Sequence, residues 1–167
     1  MTTMFRSMRR SAQQLSSAAC IDILKRQTSG VLSVLGDDGY PYGVPMSFCY
    51  ADGKIIFHSS QKGHKIDALK RCSKVSFTVI DRDTVVEEEY TTYFRSVIAF
   101  GRVRIVTDDA EKRQCLDLLA QRYNPQDSAA HRGEVLDRNL AAVCMLEMTI
   151  EHMSGKQARE LAEQNTE

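Results

Sequence analysis

Hydrogen-bond donors and positive charges are concentrated between residues 58 and 65, where "HSSQKGHK" follows the apolar run "IIF". This run is typical of a buried strand, and the residues after "HK" fit a short amphipathic helix. Cations in the first turn of a helix are unfavourable, because the positive end of the helix dipole lies there. His64 and Lys65 therefore indicate a nearby anion, such as a phosphate, which Gly63 lets the backbone approach closely. The alternative is a solvated turn, with His58 as an ordinary strand histidine.

Most of the remaining sequence consists of short strand patterns separated by turns. One helix is predicted from Ser16 or Ser17 to about Gln27, and another from Asp108 or Asp109. The predicted strands are "GVLSVLG", "PYGVPMSFCY", "IIFHSS", "VSFTV", "TTYFRSVIAFGRVRIV" and "LAAVCMLEMTIEHM". Pro45 makes the second of these an edge strand or one with an interrupted ladder.

Two segments are predicted as loops, "DRDTVVEEEY" because it is acidic and "YNPQDSAAHRGE" because Pro125 stops a helix. Residues 1–14 are expected to form an N-terminal arm and residues 154–167 a polar tail. The pattern of closely spaced strands, hairpin turns and few helices predicts a mainly β protein. We expect one domain over residues 1–167, built as a six-stranded antiparallel barrel with peripheral helices.

Composition excludes several functional classes. Lys plus Arg and Asp plus Glu both total 22 among 167 residues, so the chain lacks the positive charge of a general nucleic-acid binder. No run approaches the ~20 apolar residues that cross a membrane. Five cysteines with no CxxC pair argue against a disulfide framework and a zinc site. These features favour a reduced, cytoplasmic protein without a bound metal.

Four segments together resemble a known family: "PYGVPMSFCYADGK", "IIFHSSQKGHKIDALK", "VSFTVID" and "YFRSVIAFGRVRIV". In order and spacing they are similar to the pyridoxamine 5'-phosphate oxidase-like split-barrel flavoproteins, most of all to the nitroimidazole-resistance branch. The likeness extends from "MFRSMRR" to "MSGKQA". It implies a six-stranded split barrel and a homodimer, with one FMN in each of two clefts between subunits.

The resemblance also assigns cofactor-binding residues. The segment Gly43–Phe48 would line the isoalloxazine largely through backbone groups. Its four central residues are Val44, Pro45, Met46 and Ser47. His64 and Lys65 fall on the basic pair that holds the phosphate, and Ser59 would add a hydroxyl contact.

Three further assignments follow from the resemblance. Ser96 takes the position of a polar residue that approaches the flavin, and Arg95 precedes it. His58 matches a histidine near the flavin and substrate, and is the candidate catalytic residue. It would donate a proton or orient an electron-poor substrate.

Two departures from the vitamin B6 oxidases argue against a B6 substrate. Gly43 and Phe48 stand where those enzymes have an arginine and a lysine, and "MSGKQARELAEQ" replaces their Arg-x-x-Pro ending. The predicted function is an FMN-dependent oxidoreductase, and the resemblance suggests a small nitroaromatic substrate. One alternative is a non-enzymatic flavin or haem binder, with His58 or His64 as the haem ligand. Another is a dimerisation module with a degenerate site.

Overall fold

A computed structural model describes residues 5–164, with only the backbone described for Gln164. The helices are α1 (Ser17–Arg26), α2 (His64–Arg71), α3 (Asp109–Tyr123), α4 (Ala129–Asn139) and α5 (Arg159–Gln164). The strands are β1 (Ser29–Leu35), β2 (Pro41–Ser47), β3 (Cys49–Ala51), β4 (Lys54–Ser59), β5 (Lys74–Val86), β6 (Thr91–Val106) and β7 (Cys144–Gln157). Residues 1–4 of the predicted arm and 165–167 of the predicted tail lie outside the described part.

The strands form one antiparallel sheet in the order β2-β1-β5-β6-β7-β4-β3. The sheet does not close, since β2 and β3 are its two edges, although β2 approaches β4 across the opening. The mainly β fold with peripheral helices is confirmed, and the open sheet is consistent with a split barrel. The edge position predicted from Pro45 is also correct, because β2 pairs only with β1.

The sheet has seven strands within the described residues, where six were predicted, because the segment "PYGVPMSFCY" is divided at Phe48. The backbone N–H of Phe48 leaves the ladder and donates to the Thr28 carbonyl at 3.2 Å and to the Tyr123 hydroxyl at 3.2 Å. The Phe48 ring turns into the core and packs edge-on against Phe77, with ring centres 4.9 Å apart. The break therefore results from burial of an aromatic side chain that the pattern did not place.

The predicted loop at residues 81–90 is instead the end of a long hairpin. β5 continues to Val86 and pairs with β6 up to Thr91, past an irregularity between Ile80 and Arg82. Tyr90, with φ of 50°, closes the turn in the left-handed region. The acidic side chains misled the prediction, because backbone pairing with a neighbouring strand does not require apolar residues.

The second predicted loop contains helix α4. Its N-terminus is capped by Ser128, whose hydroxyl accepts from the His131 backbone N–H at 3.1 Å. Arg132 donates to the Asp117 carboxylate on α3 at 2.8 Å, which joins the two helices. Pro125 does end α3, but a second helix begins only a few residues later.

The last strand is also displaced from its prediction. β7 begins at Cys144 rather than Leu140, and it includes Ser154–Gln157, which had been assigned to a polar tail. Pairing with β6 explains the extension, because Gln157 lies opposite Arg95. Ala158 and Leu161 beyond it are buried, so the start of the predicted tail is part of the fold.

The core lies inside the curved sheet, with α1 and α2 packed against it. Phe57 and Phe48 both contact Phe77 edge-on, which centres the core on three fully buried aromatic rings.

All five cysteines are free, and burial together with the nearby Cys115 raises the pKa of Cys49 to about 11. None of the helices within residues 5–164 combines the length and apolar character needed to span a bilayer.

Candidate functional site

The strand-to-helix corner singled out in the sequence is formed by the end of β4, the loop 60–63 and the start of α2. Gly63 occupies the position before the helix with φ of 128°, a conformation that side-chain-bearing residues rarely adopt. No side chain caps this helix end, and nothing lies within 4 Å of a Cβ built at Gly63. The first N–H groups of α2 therefore lack a side-chain cap among the described residues.

His64 has protein partners at this corner. Its ring stacks on Tyr42 with centres 4.4 Å apart, and its Nε2 lies 3.4 Å from the Asp37 carboxylate. Arg71, the last residue of α2, donates to the same carboxylate at 2.6 Å. Asp37 thus supplies part of the negative charge that the sequence indicated, so His64 alone does not require a bound anion.

Lys65 has no comparable partner. Its ammonium is half-buried, and its one hydrogen-bond acceptor among residues 5–164 is the thioether sulfur of Met46, at 3.1 Å. Thioether sulfur is a weak acceptor and carries no charge. Burial lowers the pKa of Lys65 below the ordinary lysine value of 10.5. The corner therefore contains a partly desolvated cation without a counter-charge.

β2 presents the segment predicted to line a flavin ring. Because it is an edge strand, the backbone groups on its outer side have no ladder partner among the described residues. Met46 points into the core beside Lys65, and Val44 is half-buried. Pro45 and Ser47 lie on the opposite, exposed face. The segment thus offers free backbone donors and acceptors next to the Lys65 ammonium.

His58 and Ser59 end β4 close to the same corner. The His58 side chain is exposed and, together with Ser47, lines a cavity of about 410 Å³ beneath α3 and α4. Neither side chain forms a hydrogen bond within the described chain. Ser59 is half-buried opposite Cys144 of β7. The structure therefore places His58 at an apolar cavity and not in a salt bridge.

Arg95 and Ser96 lie elsewhere in the same chain. They are on β6, separated from β2 by β1 and β5, or roughly 14 Å at the usual strand spacing. Arg95 reaches the largely buried Asp81 carboxylate at 3.7 Å, and its buried Nε has no hydrogen-bond partner. Within the chain the predicted site residues therefore form two groups, one around Lys65 and one around Arg95.

Asp81 is held in the second group by several donors. Burial alone would raise its pKa, but hydrogen bonds from Arg26 and Gln27 and the charges of Arg26 and Arg95 outweigh burial. The pKa of Asp81 consequently lies below 3.8. This carboxylate therefore links Arg26 at the end of α1 to Arg95 on β6.

Sequence reasoning missed the helical wall of the cavity. Leu116 and Leu119 lie on α3, whose helix was predicted, but α4, which supplies Val135, Leu136 and Asn139, had been taken as loop. The usable signal was Ser128 as a helix cap before a run of helix-forming residues.

Comparison with known proteins places the chain in a family. The family model described as pyridoxamine 5'-phosphate oxidase matches residues 16–157, a range that includes every predicted site residue. The chain belongs to this family. No curated protein matches its sequence closely. The family resemblance inferred from the sequence is therefore confirmed.

Several solved structures with a similar fold align with most of the chain. A candidate 5-nitroimidazole antibiotic resistance protein from Bacteroides thetaiotaomicron is 25% identical, with a TM-score of 0.72 and 86% of each chain covered. A conserved hypothetical protein from Mycobacterium tuberculosis is 22% identical, with a TM-score of 0.79 and coverage of 93% of this chain and 92% of that one. An FAD- and haem-binding protein from Mycobacterium smegmatis is 24% identical, with a TM-score of 0.72 and coverage of 87% and 73%.

Proposed function

We propose that this pyridoxamine 5'-phosphate oxidase family member binds FMN and acts as an oxidoreductase on a small substrate, with nitroaromatics as the first class to test. The observation that carries the proposal is the unpaired Lys65 ammonium at the open N-terminus of α2. A phosphate there would accept from the ammonium and from the free helix N–H groups. This set of donors suits FMN, which carries a terminal phosphate on its ribityl chain.

The remaining groups at the corner suit the rest of the cofactor. Ser59 would donate its hydroxyl to the phosphate, and the outer edge of β2 would line the ring through backbone groups of Val44, Pro45, Met46 and Ser47. When bound, FMN supplies the redox chemistry. His58, exposed beside this segment, would hold a proton or orient a substrate at the cavity.

A homodimer explains the second group of site residues, Arg95 and Ser96. The outer face of the sheet exposes four apolar side chains that lie on adjoining strands, namely Val31, Ile80, Ile98 and Phe100. A two-fold contact through this face would cover them and bring Arg95 and Ser96 to the partner's Lys65 corner. In that arrangement each flavin is held by residues of both subunits.

The substrate is not expected to be a B6 phosphate. A Cβ at Gly43 would lie 3.1 Å from the Val31 side chain, so an arginine at this position would require Val31 to move. Phe48 is fully buried and cannot reach a substrate. The two positions at which B6 oxidases carry arginine and lysine therefore lack a cation here, and their surroundings suit the glycine and the buried phenylalanine that occupy them.

The visible spectrum of the purified protein tests the cofactor directly. We expect a flavin spectrum, or its appearance on titration with FMN, with saturation at one FMN per subunit. A Soret band would support the haem alternative instead, with His58 as the ligand, because His64 is occupied by Tyr42 and Asp37. A protein that takes up neither group contradicts the proposal. Screening reductants and nitro compounds for turnover of the bound flavin then tests the activity.

Light scattering tests the dimer. We expect the wild-type protein to have twice the subunit mass and Ile98→Glu to shift it to a monomer, because an unpaired carboxylate would be buried in the contact. Thr107→Glu, at an exposed position after β6, is the matched control and should remain dimeric. A monomeric wild-type protein refutes this part of the proposal.

A further inference from the structure

The cavity of about 410 Å³ beneath α3 and α4 is built differently from the phosphate corner. Six apolar side chains form most of its wall: Leu116, Leu119, Ala120, Val135, Leu136 and Val143. Its volume falls in the range of pockets that enclose small molecules, and such pockets are mostly apolar with a few polar groups. The helical hairpin thus adds a largely apolar cavity of small-molecule size to the edge of the sheet.

The polar groups that line this cavity differ in whether they already have hydrogen-bond partners in the protein. The Tyr123 hydroxyl donates to the Thr28 carbonyl, and the Asn139 amide donates to the Val135 carbonyl at 2.7 Å. His58 and Ser47 have no hydrogen-bond partner within residues 5–164. Hydrogen-bonding groups without a partner are therefore present where β2 and β4 reach the cavity, and the amide oxygen of Asn139 adds an acceptor from α4.

The third feature of the cavity is the absence of permanently charged side chains from its wall, within the residues that the structure describes. No lysine, arginine, aspartate or glutamate is among its lining residues in the described chain. A carboxylate or phosphate placed against this wall would lose part of its hydration without gaining a lysine or arginine partner, which is unfavourable. The Lys65 ammonium, by contrast, does not line this space. Anion recognition and apolar recognition are thus separated in the site.

We propose that the α3–α4 cavity is the substrate pocket and that it selects an uncharged small aromatic molecule. The ring would pack between Leu116, Leu119 and Leu136, and a polar substituent would face His58 and Ser47. This inference rests on the proposed flavoprotein function, because Ser47 belongs to the strand segment assigned to the flavin ring. It makes charge, rather than size alone, the basis of substrate choice.

Binding of two probes that differ in charge tests the pocket without any turnover. The probes are 4-nitrobenzyl alcohol, which is neutral, and 4-nitrobenzoate, measured by methyl NMR of the FMN-titrated protein above the usual titration range of histidine. We expect the neutral probe to shift the methyl signals of Leu116, Leu119 and Leu136, while those of the core residues Leu24 and Ile55 stay unchanged. The carboxylate should bind at least tenfold more weakly. Equal affinity for the two probes, or shifts confined to other methyl groups, would overturn the assignment.

Two variants locate the binding site. Ala120→Phe fills the cavity from α3 and should weaken the neutral probe at least tenfold, whereas Ala130→Phe adds the same side chain at an exposed position of α4 and should change its affinity less than twofold. Unchanged affinity in Ala120→Phe contradicts the proposal. Should that variant not fold, the methyl shifts of the wild-type protein still decide the question.

The same experiment separates this inference from the proposed function. FMN uptake with no methyl shifts from the neutral probe refutes the pocket and leaves the flavoprotein assignment intact. Methyl shifts in a protein that takes up no FMN refute the flavoprotein assignment and leave the neutral ligand pocket in place.

Discussion

Replacing Lys65 by methionine separates what this residue does for a ligand from what it does for the fold. Methionine keeps the unbranched apolar stem but removes the ammonium that contacts Met46. Because burial lowers the Lys65 pKa, the charged form costs stability at every pH below that lowered value. Lys65→Met removes this cost, so the thermal midpoint of the ligand-free protein should not fall.

The effect on FMN should have the opposite sign. A hydrogen bond between an ammonium and a phosphate, in a partly desolvated place, contributes about 1.5–3 kcal/mol. Its loss should raise the FMN dissociation constant roughly 10- to 150-fold. At an FMN concentration of about 100 times the wild-type constant, binding stabilises the wild type by about 2.7 kcal/mol. The same concentration should stabilise Lys65→Met by only about 0.3–1.4 kcal/mol.

The assay is a titration followed by FMN fluorescence, together with thermal unfolding with and without FMN. Lys70→Met is the control, since Lys70 is exposed on the same helix and lies about 140° around its axis from Lys65. The reasoning fails if Lys65→Met binds FMN within twofold of the wild type. It also fails if both variants weaken FMN equally, because a general loss of positive charge would then explain the result.

Three further predictions concern the framework of the site. Tyr123→Phe removes the hydroxyl that holds the break between β2 and β3, and should destabilise the protein by about 1–2 kcal/mol, whereas Tyr40→Phe, with Tyr40 74% exposed, should have little effect in the same denaturant titration. Asp81→Asn should destabilise by about 2 kcal/mol at neutral pH. Because the pKa of Asp81 is depressed in the folded protein, its stabilising effect is present above about pH 3.9 and is lost as the pH falls through the folded pKa. The unfolding free energies of the wild type and Asp81→Asn should therefore converge in acid. A difference that stays constant with pH would contradict the ion-pair explanation. Gly101 follows a register shift in the β6–β7 pairing, and Gly101→Ala would push a Cβ into the Thr149 carbonyl oxygen. The substitution should cost at least about 3 kcal/mol by calorimetry, and an unchanged midpoint would show that the register shift relaxes freely.

The parts of the fold with strong local signals were predictable. Ser16 caps α1 and accepts from the Ala19 backbone N–H at 3.1 Å, as expected from its place before an apolar helical pattern. Pro45 correctly indicated the edge strand. The β5–β6 extension was missed although its partner, residues 91–95, follows directly along the chain, because the pairing is made by backbone groups that the acidic residue types at 81–90 do not reveal. The short cap signal at Ser128 was overridden by the neighbouring Pro125.

The sequence by itself determined the family, the mainly β fold and the residues that meet at the corner of β4 and α2, because local patterns and motif spacing are written along the chain. Tertiary structure alone decided which of these residues are free to act. Asp37 lies beside the His64 ring, whereas Lys65 is left with a thioether, and these contacts join residues far apart in sequence. Packing likewise decided the character of the cavity, because its lining side chains come mainly from β2, β4, α3 and α4 and meet only in the folded protein.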